Sequence, residues 1–338
     1  MACVILIVDL FLPEQRRGII HGLAMLTVIF AAIITLRHDY LAEGVQSVTA
    51  FKGSFIRDPM GDVLKVFGFV LMGLIYVYSK FYLRNFKMFR SDFYALSLFA
   101  LLGVMLLISA NSLLMIYLGL ELISLSVYAL VAFNRDSGRG SESAMKYFVL
   151  GSMASGMLLY GMSMIYGATG SLLLADIAAA ISANGANDIL LVFGLVFIVV
   201  GIAFKFGAVP FHMWIPDVYE GAPPAVTLFI SSVPKLAAFA MAYRLLSHAL
   251  GDLHIHWQGM LAYSTISHMG FVLLGLLPGA AYGFGASMYY VIVYGIMSVA
   301  AFGMVILLSV NGVEAERLED YKGLNQRHPY YAAIMGLV

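Results

Sequence analysis

The chain has one cysteine, Cys3, in 338 residues. That excludes an internal disulfide, and it excludes an iron–sulfur cluster or a cysteine-based zinc site held by this chain alone. No G-x-G-x-x-G stretch and no Walker sequence occurs, so nucleotide binding has no support. Charge is scarce: 11% of residues are charged, against about 25% in soluble domains. The 19 basic and 19 acidic residues cancel to a formal net charge of zero, which leaves no electrostatic footprint for nucleic acid. The opening MACVILIVDLFLPEQRR lacks a basic stretch before its apolar core, so it reads as a first helix, shortened at its beginning, rather than as a signal peptide.

What is present is apolar. The composition is 62% hydrophobic and mean hydropathy is +0.91. Many runs reach the ~20 residues needed to cross a ~30 Å hydrocarbon core, and they do not alternate as barrel strands would. An all-α polytopic membrane protein follows, with the lipid bilayer as its first partner. Spans are predicted at about 2–12, 18–36, 61–82, 92–109, 112–133, 142–167, 189–209, 224–248, 258–277 and 283–310, with a short helix at 172–182 and another beginning at 329. Residues 38–58 read as a loop, and Ala110-Asn111 as a very tight turn.

Basic residues cluster in alternate connections: Arg16 and Arg17; Lys80, Arg84, Lys87 and Arg90; Arg135 and Arg139. The positive-inside rule then places those connections in the cytoplasm and the N-terminus outside. Arg37, Lys52 and Arg57 weaken that signal without reversing it. Gly151/Ser155 and Ser152/Gly156 are small-xxx-small pairs that suit close helix packing.

Against this background the buried charges stand out, because ionisable groups inside a membrane are costly and functional by default. Glu121 is predicted ~15 Å deep in its helix, with Tyr117, Ser124 and Tyr128 along the same face. Lys205 precedes Pro210, which cannot donate to the carbonyl of Phe206, so the helix is expected to break or kink just after Lys205. Burial and a nearby carboxylate act in opposite senses on a lysine's proton, so a Lys205–Glu121 pair would switch as neighbouring charge moves. Lys235 follows Pro234, again near midplane, in a span expected to kink. Arg244 is expected to snorkel to the interface in a structural role. Lys146 reads equally as a snorkelling or a functional lysine, and His212 equally as a proton relay on the Lys205 face or a helix cap. His268 favours a structural place in a polar seam, and His248, His254 and His256 read as surface.

The stretches LGLELISLSVYALVAF, SESAMKYFVLGSMASG, FKFGAVPFHMWIPDVYEGAP, SSVPKLAAFA and MLAYSTISHMGF resemble the subunit-N branch of the antiporter-like subunits of bacterial proton-pumping NADH–quinone oxidoreductase, respiratory complex I. The resemblance covers almost the whole chain. It implies two inverted five-helix repeats, each with a discontinuous helix: flanking helices over 1–90, a first repeat over 91–250, and a partial second repeat over 258–338. It implies a non-redox subunit of a proton-translocating enzyme in the bacterial inner (plasma) membrane, with no cofactor of its own. FMN and iron–sulfur clusters would sit in partner subunits, and quinone would react elsewhere. Protons would pass by Glu121, Lys205, Lys235 and Lys146, with His212 and His268 as possible relays. Two departures are expected to mark an incomplete or internally deleted copy: Trp257-Gln258-Gly259-Met260 stands where the family has a further helix, and the chain ends at Val338 as the second broken helix begins. A secondary cation/proton antiporter subunit and a scaffold without a proton path remain open.

Overall fold

A computed structural model describes residues 1–13, 17–37, 47–185, 188–253, 268–277, 281–309, 315 and 318–337. Its helices, in chain order, are α1 Ala2–Phe11, α2 Gly18–Leu36, α3 Pro59–Asn85, α4 Ser91–Ile108, α5 Leu113–Val131, α6 Gly138–Thr169, α7 Leu174–Asn184, α8 Ile189–Phe206, α9 Trp214–Gly221, α10 Pro224–Tyr243, α11 His268–Leu276, α12 Ala281–Leu308, α13 Leu324–Arg327 and α14 Pro329–Leu337. Among the described residues, eight helices are long and apolar enough to cross a membrane. The His254, His256 and Trp257–Met260 expectations fall outside the described residues. His248, within them, is exposed.

Local signals set the boundaries. Asp58 caps α3 by accepting from the Gly61 amide at 2.9 Å, with Pro59 in the first turn. Ser112 caps α5, Ser137 caps α6 and Asp188 caps α8 in the same way. The α6 span is longer than predicted at both ends, because Ser137 starts it and Gly170, at φ 72°, stops it.

The loop expected over 38–58 holds a short antiparallel hairpin, β1 Val48–Ala50 with β2 Phe55–Arg57. The hairpin pins the tight turn between α4 and α5. The Ile56 amide donates to Ser109, the Asn111 amide to Ser54, and the Asn111 side chain to Gly53 at 2.8 Å. The turn can be this short because α4 and α5 touch backbone to backbone: a Cβ on Gly103 would lie 2.8 Å from the Gly119 carbonyl. The α6–α8 pair uses the same device at Gly161, where a Cβ would meet the Gly194 carbonyl at 2.7 Å. Of the two pairs singled out in the sequence, Gly151 and Ser155 are buried, while Ser152 and Gly156 face outward.

The centre of the bundle is α10. Within the bundle, 94% of its apolar window is buried, against 17% for α2 at the edge. The helix runs unbroken through Pro234 and continues into a π-helical turn, Arg244–Ala249. Arg244 corrects the snorkelling expectation. Its guanidinium is buried, donating from Nε to the Ile108 carbonyl at 2.7 Å and from Nη2 to both Asp58 oxygens at 3.0 and 3.1 Å. A guanidinium can stay buried here because a carboxylate and a freed helix-end carbonyl satisfy its fork. The same end holds Arg57 on Asp62 at 3.1 Å, and Lys65 on Asp62 at 3.6 Å. Arg244→Ala is therefore expected to destabilise the subunit by about 3–5 kcal/mol, since it strands Asp58. Thermal unfolding in detergent checks this, with Asp58→Asn/Arg244→Met expected to recover part of the loss.

Candidate functional site

Helix α8 ends at Phe206, just after Lys205 and four residues before Pro210. Gly207 takes the left-handed conformation, φ 71° and ψ 34°, which a residue with a Cβ adopts only at a cost. Its amide donates to Phe204 at 3.0 Å, and the Ala208 amide donates to Ala203 at 2.9 Å, so the end is a Schellman turn. A Cβ here would also meet Ile215 Cδ1 at 2.1 Å, so α9 can fold back only over a glycine. Residues 207–213 connect the two helices, with a cis peptide at Val209–Pro210.

Pro210 has no amide to offer the Phe206 carbonyl at the end of α8, and Lys235 of α10 supplies a donor. Its buried ammonium donates to the Phe206 carbonyl at 2.7 Å and the Lys205 carbonyl at 3.3 Å. This is the negative end of the α8 dipole, which favours a cation. The Lys235 ammonium also stands 5.4 Å from the Trp214 ring centre, and the Trp214 indole donates to the Phe204 carbonyl at 3.1 Å. Trp214 stacks on Tyr147 at 4.7 Å and 16°. The two halves of the break are thus tied to each other and to α10 and α6.

Lys205 points the other way, toward α5. It donates to the Ser124 hydroxyl at 2.7 Å. The expected Lys205–Glu121 ion pair is not formed: Ser124, about one turn along the α5 face from Glu121, meets the ammonium first. Glu121 remains within electrostatic reach of Lys205, and its Oε1 is buried with no hydrogen-bond partner among the described residues. Lys205 and Lys235 line one cavity with a water-accessible volume of about 30 Å³, walled by Leu107, Leu120, Ile123 and Trp214 among others. At roughly 10–15 Å³ per water, that is room for about two.

Lys146 sits apart from this cavity. It lies within α6, half-exposed, held by Glu142 at 2.9 Å and by Asp217 of α9 at 3.2 Å. An exposed Arg139–Glu220 pair at 3.1 Å lies beside it. His212 departs from expectation: the helix has not resumed at this residue, so it does not share a face with Lys205. It is exposed in the 207–213 connection and does not line the cavity. His268 is the first residue of α11, and its side chain lies outside the described residues.

Sequence reading missed two members of the site. Ser124 was placed on the polar face of α5, but its role as the Lys205 acceptor needed the α5–α8 crossing. Trp214 was unremarked, although an indole four residues beyond a proline, in a break between charged helices, is a usable signal for a buried donor.

The family model described as NADH:quinone oxidoreductase/Mrp antiporter, TM, matches residues 110–258 and 253–338. NADH-quinone oxidoreductase subunit N of Thioalkalivibrio sulfidiphilus is 50% identical over 100% of this chain and 75% of its own length. The protein of the same name from an Azoarcus species is also 50% identical, with the same coverage. The first alignment runs over 364 positions against 338 residues here, a difference of 26. Among solved structures, respiratory complex I from Thermus thermophilus with bound Aureothin contains a chain similar at TM-score 0.75 and 27% identity, over 98% of this chain and 74% of that one. A chain of the Mrp complex from a Dietzia species shares the fold at TM-score 0.74 and 18% identity, over 90% and 62%.

Proposed function

Because this chain belongs to the NADH:quinone oxidoreductase/Mrp antiporter transmembrane family, we propose that it is a membrane-arm subunit that carries protons across the membrane for an NADH–quinone oxidoreductase. The half-identity over the whole chain to relatives named subunit N carries this reading. The subunit holds no redox centre in this proposal. FMN and iron–sulfur clusters sit in partner subunits, and quinone reduction drives the proton step from a distance. A secondary cation/proton antiporter is the runner-up; the Mrp likeness supports the fold alone.

The site supplies parts for the proton step. Glu121 and Lys205 share a proton-bearing region through Ser124, and a proton leaving Lys205 reaches Lys235 through the one or two waters their cavity admits. Lys235 first gives up a proton of its own toward the far side, takes the one from Lys205 as the amine, and so returns to the ammonium that the α8 carbonyls favour. Lys146 takes part through Asp217, which joins α6 to the short helix beyond the break. His212 and His268 are assigned no step. The α8 and α9 helices are the two parts of one discontinuous span in this reading. The N-terminus lies outside the cytoplasm of a bacterial inner membrane. Residues 1–90 flank the first repeat at 91–250, and 258–338 belongs to a second. The difference of 26 aligned positions, and family matches that meet at 253–258, support the loss of one helix near Trp257.

Purification of the native complex tests the assignment. Recovery of this chain with flavin- and iron–sulfur-bearing subunits and with NADH–quinone activity is expected. Recovery in an assembly without them, with sodium-dependent proton exchange in vesicles, would overturn it in favour of antiport.

A further inference from the structure

Three buried polar atoms without a hydrogen-bond partner among the described residues lie on α5 and α6: Glu121 Oε1, the Tyr128 hydroxyl and the Ser155 hydroxyl. Tyr128 and Ser155 are both more than nine-tenths buried. A native interior rarely leaves such groups unsatisfied without a reason.

Tyr128 is held with some care. Its ring meets the edges of Tyr147 at 4.9 Å and 87° and Phe148 at 5.6 Å and 88°. Its hydroxyl occupies the notch at Gly151, where a Cβ would stand 2.0 Å from the oxygen. Ser155 lies one turn along α6 from that glycine, on the same face. On α5, Glu121, Ser124 and Tyr128 form a ladder at i, i+3 and i+7. Ser124 is one turn from Tyr128 on this ladder, and its hydroxyl lies near that of Tyr128 without an ordinary hydrogen bond between them, so one water can join the two. Ser124 already accepts from Lys205 and donates to the Leu120 carbonyl at 2.7 Å. Its second lone pair remains free to accept from such a water.

We infer that Tyr128, with the Gly151 notch and Ser155 opposite, forms the stretch of proton path that feeds Ser124 and Lys205 through bound water along the α5–α6 seam. The inference rests on the proton-translocating reading above and extends it to residues outside the charged set. Tyr128 lies three residues before α5 ends at Val131, so the seam opens toward the 132–137 connection, the side that carries Arg135. Once Lys205 has released a proton into its cavity and stands as the amine, the Ser124 hydroxyl turns from the Leu120 carbonyl and gives its proton to Lys205, and each hydroxyl and water behind it passes one proton forward in turn. On the seam O–H bonds break and re-form with no net charge left behind, and the one new N–H bond is that of the Lys205 ammonium. Tyr128 passes the proton to Lys205 through Ser124.

Tyr128→Phe and Gly151→Ala in the whole complex, reconstituted in proteoliposomes, test this with Lys205→Ala alongside. The Phe variant keeps the ring and loses only the hydroxyl; the Ala variant keeps every hydroxyl and displaces that of Tyr128. Both are expected to slow coupled proton transport at least about tenfold with subunit content unchanged, and Tyr128→Phe is expected to alter the solvent deuterium isotope effect. Normal transport and an unaltered isotope effect in Tyr128→Phe overturn the inference, whatever Gly151→Ala does, because packing alone then explains the notch. Should Tyr128→Phe fail to assemble, Ser155→Ala decides by the same readouts, with unchanged transport overturning the inference. Normal transport in Lys205→Ala instead overturns the underlying proton-path reading.

Discussion

Replacing Lys205 by alanine is expected to abolish proton transport, by at least about 100-fold, in a complex that still assembles. Proton-transfer groups of this kind contribute on that scale. Lys205 touches both parts of the site. Its ammonium bonds to Ser124 on the Glu121 face of α5, and its carbonyl accepts from Lys235. Removing the side chain breaks the first link and leaves the second in place, so the loss should fall on transport more than on stability. Lys205→Met keeps most of the volume and separates the charge from the cavity it would leave. The measurement is acidification of proteoliposomes driven by NADH and quinone, with subunit content checked by gel. Unaltered transport in both variants would leave the subunit a scaffold.

Lys235→Ala is expected to do two kinds of damage at once. Two carbonyls at the end of α8 lose their donor, and each buried group left unpaired costs about 1–3 kcal/mol. In the proposed proton path, the station beyond Lys205 is also removed. Lys235→Gln separates the two roles. Its amide donates to the Phe206 carbonyl but binds no proton, so the melting temperature should stay near the unsubstituted value while transport falls at least about tenfold. A Gln variant that transports normally would reduce Lys235 to a helix cap. A Gln variant that melts as low as Ala would mean that charge, rather than the hydrogen bond, secures the break.

Membrane class, the main spans and the charges that interrupt them were legible in the sequence because they depend on composition and run length. A run of about 20 apolar residues has few alternatives in water or lipid, and a charge within it is visible without coordinates. The details depended on which chemistry won locally. The span was expected to reach about 209 with a break or kink just after Lys205, and it ends at Phe206, because Gly207 can take the left-handed turn before the proline is reached. His212 therefore fell off the Lys205 face. Arg244 was expected at the interface, and the structure buries it against Asp58, a partner 186 positions away in the chain. Two small-residue pairs were visible in α6, but the glycine against the α8 backbone is Gly161, which no spacing rule distinguished.

The sequence by itself determined that this is a helical membrane protein with Glu121, Lys205 and Lys235 inside its apolar runs, and its family resemblance was written in contiguous motifs. Only the tertiary structure decided how those charges are partnered. Lys205 meets Ser124 rather than Glu121, and Lys235 meets the carbonyls at the end of α8. Hydropathy is a property of a segment and can be read along it. A hydrogen-bond partner belongs to a crossing between segments, and which groups arrive within 3 Å is fixed only when glycines such as Gly103, Gly161 and Gly207 have set how closely the helices pack.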